Sequence, residues 1–291
     1  MKKVFNGRIT KYVLLLMGAA LLIGIVAGSW ADQRGERYAH LSFDDAIGIF
    51  EDLTTNRYDS IFENDLLKFC KDMHDEYGAV FSFYVFNKYN GFSISKCTDR
   101  YSKEFSDNSD WLKFGFHSYD GKGYGDTSAK TAAKEYSGTI AELIRITGSQ
   151  ASIDRVPRLQ FFSGNLESVL AMKACEYGIT GLLSSDDDRM SYYLDETQND
   201  ALRASEVYFE TSSGLYMFPT DLRLEHIDNI DDALALLNPA GGNGKIHYLI
   251  VFTHEWAFTP EIEAKVSAVC RYALANGFQF GYPMNWIDNG A

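Results

Sequence analysis

Two adjacent acids, Asp44 and Asp45, close the apolar run Tyr38-Ala39-His40-Leu41-Ser42-Phe43. Side chains alternate along a strand, so acids at its end point to opposite sides and can hold different jobs, one as general base and one on a metal. The same arrangement returns twice. Phe114-Gly115-Phe116 delivers His117, and Tyr248-Leu249-Ile250-Val251-Phe252-Thr253 delivers His254. Three strands that each end in an acid or a histidine are what a parallel α/β barrel needs at its catalytic face.

Such residues meet only if parallel strands end on one face. Strands are predicted over 39–43, 79–86, 112–117, 158–162, 181–183, 215–218, 246–253 and 278–280. Helical segments are predicted between them over 60–77, 128–146, 165–177, 198–208, 230–237 and 260–276. Ser60 followed by Glu63 has the form of a capping box, and Thr259-Pro260 that of a helix start with proline at its first position. Strands alternating with helices imply parallel pairing through right-handed crossovers, and catalytic groups then collect at the C-terminal strand ends. The glycine-bearing stretch after His117, with Gly121, Gly123 and Gly125, lacks phosphate-loop spacing and reads as a turn or lid.

Ser42-Phe43-Asp44-Asp45, His117-Ser118 and Val251-Phe252-Thr253-His254 together resemble the polysaccharide deacetylases, the family with the NodB-homology domain. The family carries a Thr-Phe-Asp-Asp motif, a His-Ser/Thr-x-x-His motif, an Arg-x-Pro-Tyr motif and a strand ending in Leu-x-His, and the order here is the same. The resemblance implies an α/β fold, a (β/α) barrel that is distorted or seven-stranded. It implies a metal-dependent de-N-acetylase in which Asp44 is the base, Asp45 and His117 are metal ligands, and His254 is the acid. The cofactor would be a divalent metal, zinc foremost, with cobalt or manganese as alternatives, and the partner an N-acetylated oligo- or polysaccharide.

Two motifs depart from the family. The second histidine is replaced by Gly121, and Asp120, one residue earlier, is the candidate third ligand. Arg158-Leu159-Gln160-Phe161 stands where Arg-x-Pro-Tyr is expected, and Arg158 is read as near the strand but out of register. On a strand Gln160 would share a side with Arg158 and Phe162 and reach the metal. Asp187, or its neighbour Asp188, is the acid expected to orient the base arginine. Asp221 with Arg223 forms either an orienting pair or a structural ion pair. Trp256 either walls the acetyl pocket or plugs the rim. Three function classes therefore stand open: the deacetylase, a catalytically weak glycan-binding relative, and a glycoside hydrolase using two carboxylates on a similar barrel.

Residues 1–31 obey different physics from 32–291, which read as one domain. Lys2, Lys3, Arg8 and Lys11 precede an uncharged stretch from Tyr12 to Ala31. Positive charge before an apolar helix implies export of the chain beyond that helix. Ser29-Trp30-Ala31 fits a cleavage site, while the length also suits a membrane anchor, so a secreted form and a form anchored at the extracellular side are both expected. Taking the four cations of the first eleven residues from the net charge of −13 leaves −17 for the rest, which argues against binding nucleic acid through its phosphates. An acidic surface suits the cationic product of glycan deacetylation. Cys70, Cys97, Cys175 and Cys270 show no Cys-x-x-Cys spacing, and Cys70 continues the apolar stripe of Leu66, Leu67 and Met73.

Overall fold

The computed structural model describes residues 36–237 and 247–288, so the hydrophobic segment of residues 1–31 and Ile246, the first residue of a predicted strand, lie outside the described residues. Among the described residues no helix is long and apolar enough to cross a membrane.

The chain runs β1 (Arg37–Ala46), α1 (Gly48–Asn56), α2 (Asp65–Tyr77), β2 (Phe81–Phe86), β3 (Leu112–Ser118), α3 (Ala129–Thr147), α4 (Leu166–Lys173), β4 (Gly181–Leu183), α5 (Glu196–Arg203), β5 (Tyr208–Glu210), β6 (Leu215–Phe218), β7 (Leu222–Arg223), α6 (Ile230–Leu236), β8 (Tyr248–His254), α7 (Pro260–Ala275) and β9 (Phe278–Phe280), with short 3-10 turns, a hairpin (Lys88–Tyr89 with Phe92–Ser93) and a short helix (Ser102–Asp107) between them and a last helix (Pro283–Asp288) after. The expected starts are present. Ser60 and Glu63 close a capping box, and the Thr259 side chain accepts from the Ile262 amide with Pro260 beside it.

The fold is α/β with a parallel central sheet in the order β3-β2-β1-β8-β7, and β9 also pairs with β1. A second sheet has the order β4-β6-β5, its β5–β6 pair antiparallel. A distorted or seven-stranded (β/α) barrel was expected; the ladders of the described residues form the parallel α/β sheet, this second sheet and a two-stranded hairpin of Lys88–Tyr89 with Phe92–Ser93. Irregular backbone joins the two larger sheets on both flanks. On one side the Asp154 amide donates to Phe114, Thr180 to Arg155 and Leu183 to Pro157; on the other Asp221 donates to Ile250.

β1 is buried on both faces, as a central parallel strand must be. Its Ala39, Leu41 and Phe43 join the main core, which includes Leu53, Leu67, Cys70, Val269 and Cys270 from the helices. Tyr38 faces a smaller cluster with Tyr84, Val156, Leu183, Phe218, Ile250 and Trp286. Alternation puts His40, Ser42 and Asp44 on the Tyr38 side, so polar groups share the second face with a modest apolar plug. All four cysteines are free, and Cys70, Cys97 and Cys270 are buried.

The predicted strand over 158–162 is not one. Phe161 and Phe162 have φ of 59° and 54°, and residues 160–162 form a 3-10 turn. Helix α1 has no counterpart among the predicted helices.

Candidate active site

At the C-terminal ends of β1, β3 and β8 lies a cavity of about 230 Å³ lined by Asp44, Asp45, His117, Arg158, Gln160, His254 and Trp256, with Arg189 and Arg223 at its wall. Most of the residues singled out from sequence therefore meet. Asp120, Asp187, Asp188 and Asp221 are not among its lining residues.

The two acids reach this cavity together, which strand alternation did not anticipate. β1 pairs Phe43 with Phe83 and Ala46 with Val85, so Asp44 and Asp45 together oppose the single residue Tyr84. Asp45 takes a φ of 56°. A bulge of this kind re-aims a side chain, and a non-glycine residue at positive φ is a conformation that the surroundings must hold in place. Part of that hold comes from Glu255. Its carboxylate accepts from the amides of Ile47, Gly48 and Ile49 at 2.7, 2.7 and 2.5 Å. It thereby caps α1, a task that Asp44 or Asp45 would perform in a simple strand-to-helix turn. Burial nonetheless pushes the Glu255 carboxyl above its ordinary pKa, against the lowering effect of the three amides.

Arg158 is the residue whose role changes most. It is 1 % exposed, and Nη1 donates to Asp44 Oδ1 at 2.9 Å and to Ser42 Oγ at 3.2 Å, while Nη2 donates to Thr220 Oγ1 at 3.2 Å. Its guanidinium also lies 3.9 Å from the Phe252 ring centroid. The side chain thus runs through the interior to orient Asp44, itself 1 % exposed. In sequence Arg158 and Phe161 occupy the first and fourth places of the Arg-x-Pro-Tyr pattern, a signal that the strand reading of this segment obscures.

His117, 2 % exposed, donates from Nδ1 to the Arg158 carbonyl. Its Nε2 lies 3.2 Å from Asp45 Oδ1. That oxygen is buried, and among the described residues His117 is the one polar side chain at such a distance from it. Burial would raise the Asp45 carboxyl, but the contact and charge of His117, the charge of His254 and the Trp256 N–H hold it below its ordinary value.

When the His117 ring is neutral, a proton on Nδ1 leaves a lone pair on Nε2, so an imidazole nitrogen and a carboxylate oxygen converge on one locus. One nitrogen and one oxygen suit zinc, cobalt or manganese, and in donor type the pair fits a divalent ion. The number of donors is short. Among the described residues no group of three or more His, Cys, Asp or Glu side chains is placed to hold a metal ion. Asp120 does not supply the third, for its carboxylate meets Lys122 Nζ at 3.1 Å in a turn closed by Ser118 Oγ donating to the Lys122 carbonyl. Nor does the turn leave room at Gly121, whose φ is +84° and where a Cβ would lie 3.2 Å from the Tyr89 ring.

His254 sits directly across the β1–β8 ladder from Asp44. Its Nδ1 contacts Glu225, which also accepts from Thr253 Oγ1 at 2.8 Å. Burial lowers the His254 pKa, but the bond to Glu225 and the charges of Asp44, Glu225 and Asp45 outweigh burial and raise it. Glu225 moves the other way, since the His254 contact overcomes the upward push of burial. Sequence reasoning missed Glu225, which follows the two-residue strand β7 and carries no motif. A raised imidazole pKa keeps the acid form present to higher pH, and its stabilising contribution is lost as pH rises through that raised value. Glu225→Gln is therefore expected to move the alkaline limb of the kcat/KM profile to lower pH. An unmoved limb would assign that protonation to another group.

The remaining acids are structural. Asp187 pairs with Arg189 at 2.8 Å, which holds its carboxyl well below the usual range, and it does not reach Arg158. Asp221 and Arg223 do not pair. Asp221 accepts from the Ile250 amide at 2.7 Å, and burial pushes its pKa up to about 7, while Arg223 contacts Asp186. Gln160 reaches the cavity from the 3-10 turn rather than from a strand.

No family model matches the chain, and no curated protein matches it. Several solved structures are similar. A family 4 acetyl xylan esterase from Clostridium thermocellum, in complex with a cobalt ion, is 12 % identical, with 84 % of this chain and 87 % of that one covered and a TM-score of 0.47. A peptidoglycan deacetylase from Bacillus subtilis is 13 % identical over 84 % of this chain and 87 % of that one, with a TM-score of 0.42. A CE4 family pseudoenzyme from Bacillus anthracis is 12 % identical over 86 % of this chain and 65 % of that one, with a TM-score of 0.47.

Proposed function

We propose that this chain is a carbohydrate de-N-acetylase, built on a distorted (β/α) barrel and acting on an N-acetylated glycan of the cell envelope or the extracellular space. One observation carries the reading. A buried carboxylate held by a guanidinium, Asp44 with Arg158, stands across one ladder from an imidazole held by a carboxylate, His254 with Glu225, and both line one cavity.

In this reading Asp44 takes the proton of the attacking water, and Arg158 fixes the carboxylate that receives it. His254 gives its Nε2 proton to the departing sugar nitrogen, and Glu225 keeps that ring charged and turned toward the cavity. Gln160 offers an amide to the acyl group or the sugar, and Trp256 walls the cavity. Asp45 and His117 would hold the divalent ion, which when bound makes water acidic and polarises the acyl oxygen. Export, with residues 1–31 either cleaved or retained as an anchor, belongs to the same reading.

Two experiments test it. Release of acetate from an N-acetylated oligosaccharide, measured with zinc, cobalt or manganese added, tests the reaction. Asp45→Ala and His117→Ala are each expected to abolish stoichiometric metal binding with the fold intact by circular dichroism, and full retention in both would remove the metal assignment. The placement of Asp120 favours a second reading, a glycan-binding relative with weak or no turnover. It would be recognised by oligosaccharide binding without acetate release at saturating metal. A glycoside hydrolase would instead cleave the chain of sugars with no metal added.

A further inference from the structure

A second cavity, of about 320 Å³, opens toward the other end of β3 from His117. Lys113, the second residue of that strand, lines it, and at about 3.3 Å per residue His117 stands roughly 13 Å further along. Arg155 lines it too, and neither cation belongs to the lining of the candidate active site. Lys113 Nζ lies 4.3 Å from the Tyr282 ring centroid, and Arg155 donates from Nε to the Gly178 carbonyl at 2.7 Å. Among the described residues no carboxylate forms an ion pair with either. That is out of keeping with a chain of net charge −13 and 40 acids. The one acid of the lining, Asp154, is 4 % exposed and already satisfied from within. Its Oδ1 accepts from the Val156 amide at 2.8 Å, and its Oδ2 from the Tyr84 hydroxyl at 3.1 Å and from the Ser82 hydroxyl. Two cations less one carboxylate leave the lining with an excess of one positive charge. His40, behind Tyr84, adds none, since burial pushes its pKa down to about 4.

We infer that this cavity is a second ligand site, for a small organic carboxylate whose anionic head meets Lys113 and Arg155 and whose hydrocarbon lies against Ile153, Val156 and Met284. Lys113 is half-buried, and an ammonium partly withdrawn from water without a counter-ion gains more from an anion than a solvated one does. Asn285 adds a neutral donor, its Oδ1 accepting from the Tyr282 amide and its amide nitrogen left to donate. The wall argues for carboxylate over phosphate. Phosphate sites draw on backbone amides at helix starts, whereas the helix that lines this cavity, Pro283–Asp288, begins at a residue with no N–H. Charge here comes from side chains set beside apolar ones.

The test is succinate, titrated by calorimetry into the full-length protein beside succinamide, which keeps the skeleton without the charge, and inorganic phosphate. Succinate is expected to bind, with succinamide weaker by about 10–100-fold because its hydrogen bonds lose their charge assistance. Lys113→Gln and Arg155→Gln are each expected to weaken succinate by a similar factor. No succinate binding, or succinamide binding as tightly, would overturn the inference. So would wild-type succinate affinity in both variants, which would place the ligand elsewhere. Phosphate binding as tightly as succinate would overturn the choice of carboxylate. Should either variant fail to fold by circular dichroism, the comparison of succinate with succinamide on the wild-type protein decides the question by itself.

Discussion

Asp44→Asn is expected to lower acetate release by about 10²–10⁴-fold, the range that a positioned acid or base supplies, with metal affinity unchanged. An asparagine oxygen still accepts from Arg158, so the variant should fold and keep its cavity, and the loss should fall on kcat. His254→Ala, removing the acid across the ladder, is expected to lose a similar factor. In the proposed mechanism Asp44 and His254 act at different steps of one proton path, the first taking from the nucleophile and the second giving to the leaving nitrogen. Wild-type rates in both variants would exclude this mechanism even for a chain that binds zinc.

Arg158→Ala is expected to be the most destabilising of these substitutions. Arg158 and Asp44 are both 1 % exposed and 2.9 Å apart. Deleting one member of a buried pair leaves the other charged and desolvated, which costs about 3–5 kcal/mol. It also removes the donor to Ser42 and Thr220 and the contact with Phe252. Denaturant titration should show the midpoint falling with little change in slope. The double variant with Asp44→Asn should recover part of that loss, because the stranded charge is gone. A midpoint within experimental error of wild type would mean that water reaches Asp44 and that the pair is not a rigid unit.

Much of the fold is legible in the sequence because the strands that matter are apolar and end in chemistry. Hydrophobic runs place β1, β3 and β8 to within a few residues, and Ser60 and Thr259 mark helix starts by local capping. The elements that escape depend on distant partners. Helix α1 begins at Gly48 after a residue that gives no side-chain cap, and its free amides are met by Glu255, some two hundred positions away. Periodicity cannot report such a contact. The strand expected over 158–162 fails because an arginine followed by bulky residues resembles a strand, whereas backbone turns at Phe161 and Phe162 break it.

The site divides along the same line. Asp44, Asp45, His117 and His254 are legible as strand-end chemistry, and the cavity gathers all four. Their common orientation is not, because one bulge overrides the alternation on which the opposite-sides reading rests. Glu225 is hidden for want of a motif, and Asp120 is suggested by a spacing that the Gly121 turn does not honour. Of the residues chosen for their charge alone, Asp187 and Asp221 serve neighbouring backbone and guanidinium groups.

The brace between Glu255 and the start of α1 bears on synthesis. A ribosome delivers β1 early, yet the strand that pairs with it on the His254 side, and the carboxylate that pins the turn beyond Asp45, are translated some two hundred residues later. Contacts of such sequence separation form late and slowly, since a long loop must close before they reward it. A nascent chain stalled before residue 254 therefore lacks the opposing imidazole and leaves the ends of β1 and α1 unsecured. The opposing imidazole and the brace on α1 then arrive together, once residues 254 and 255 have emerged.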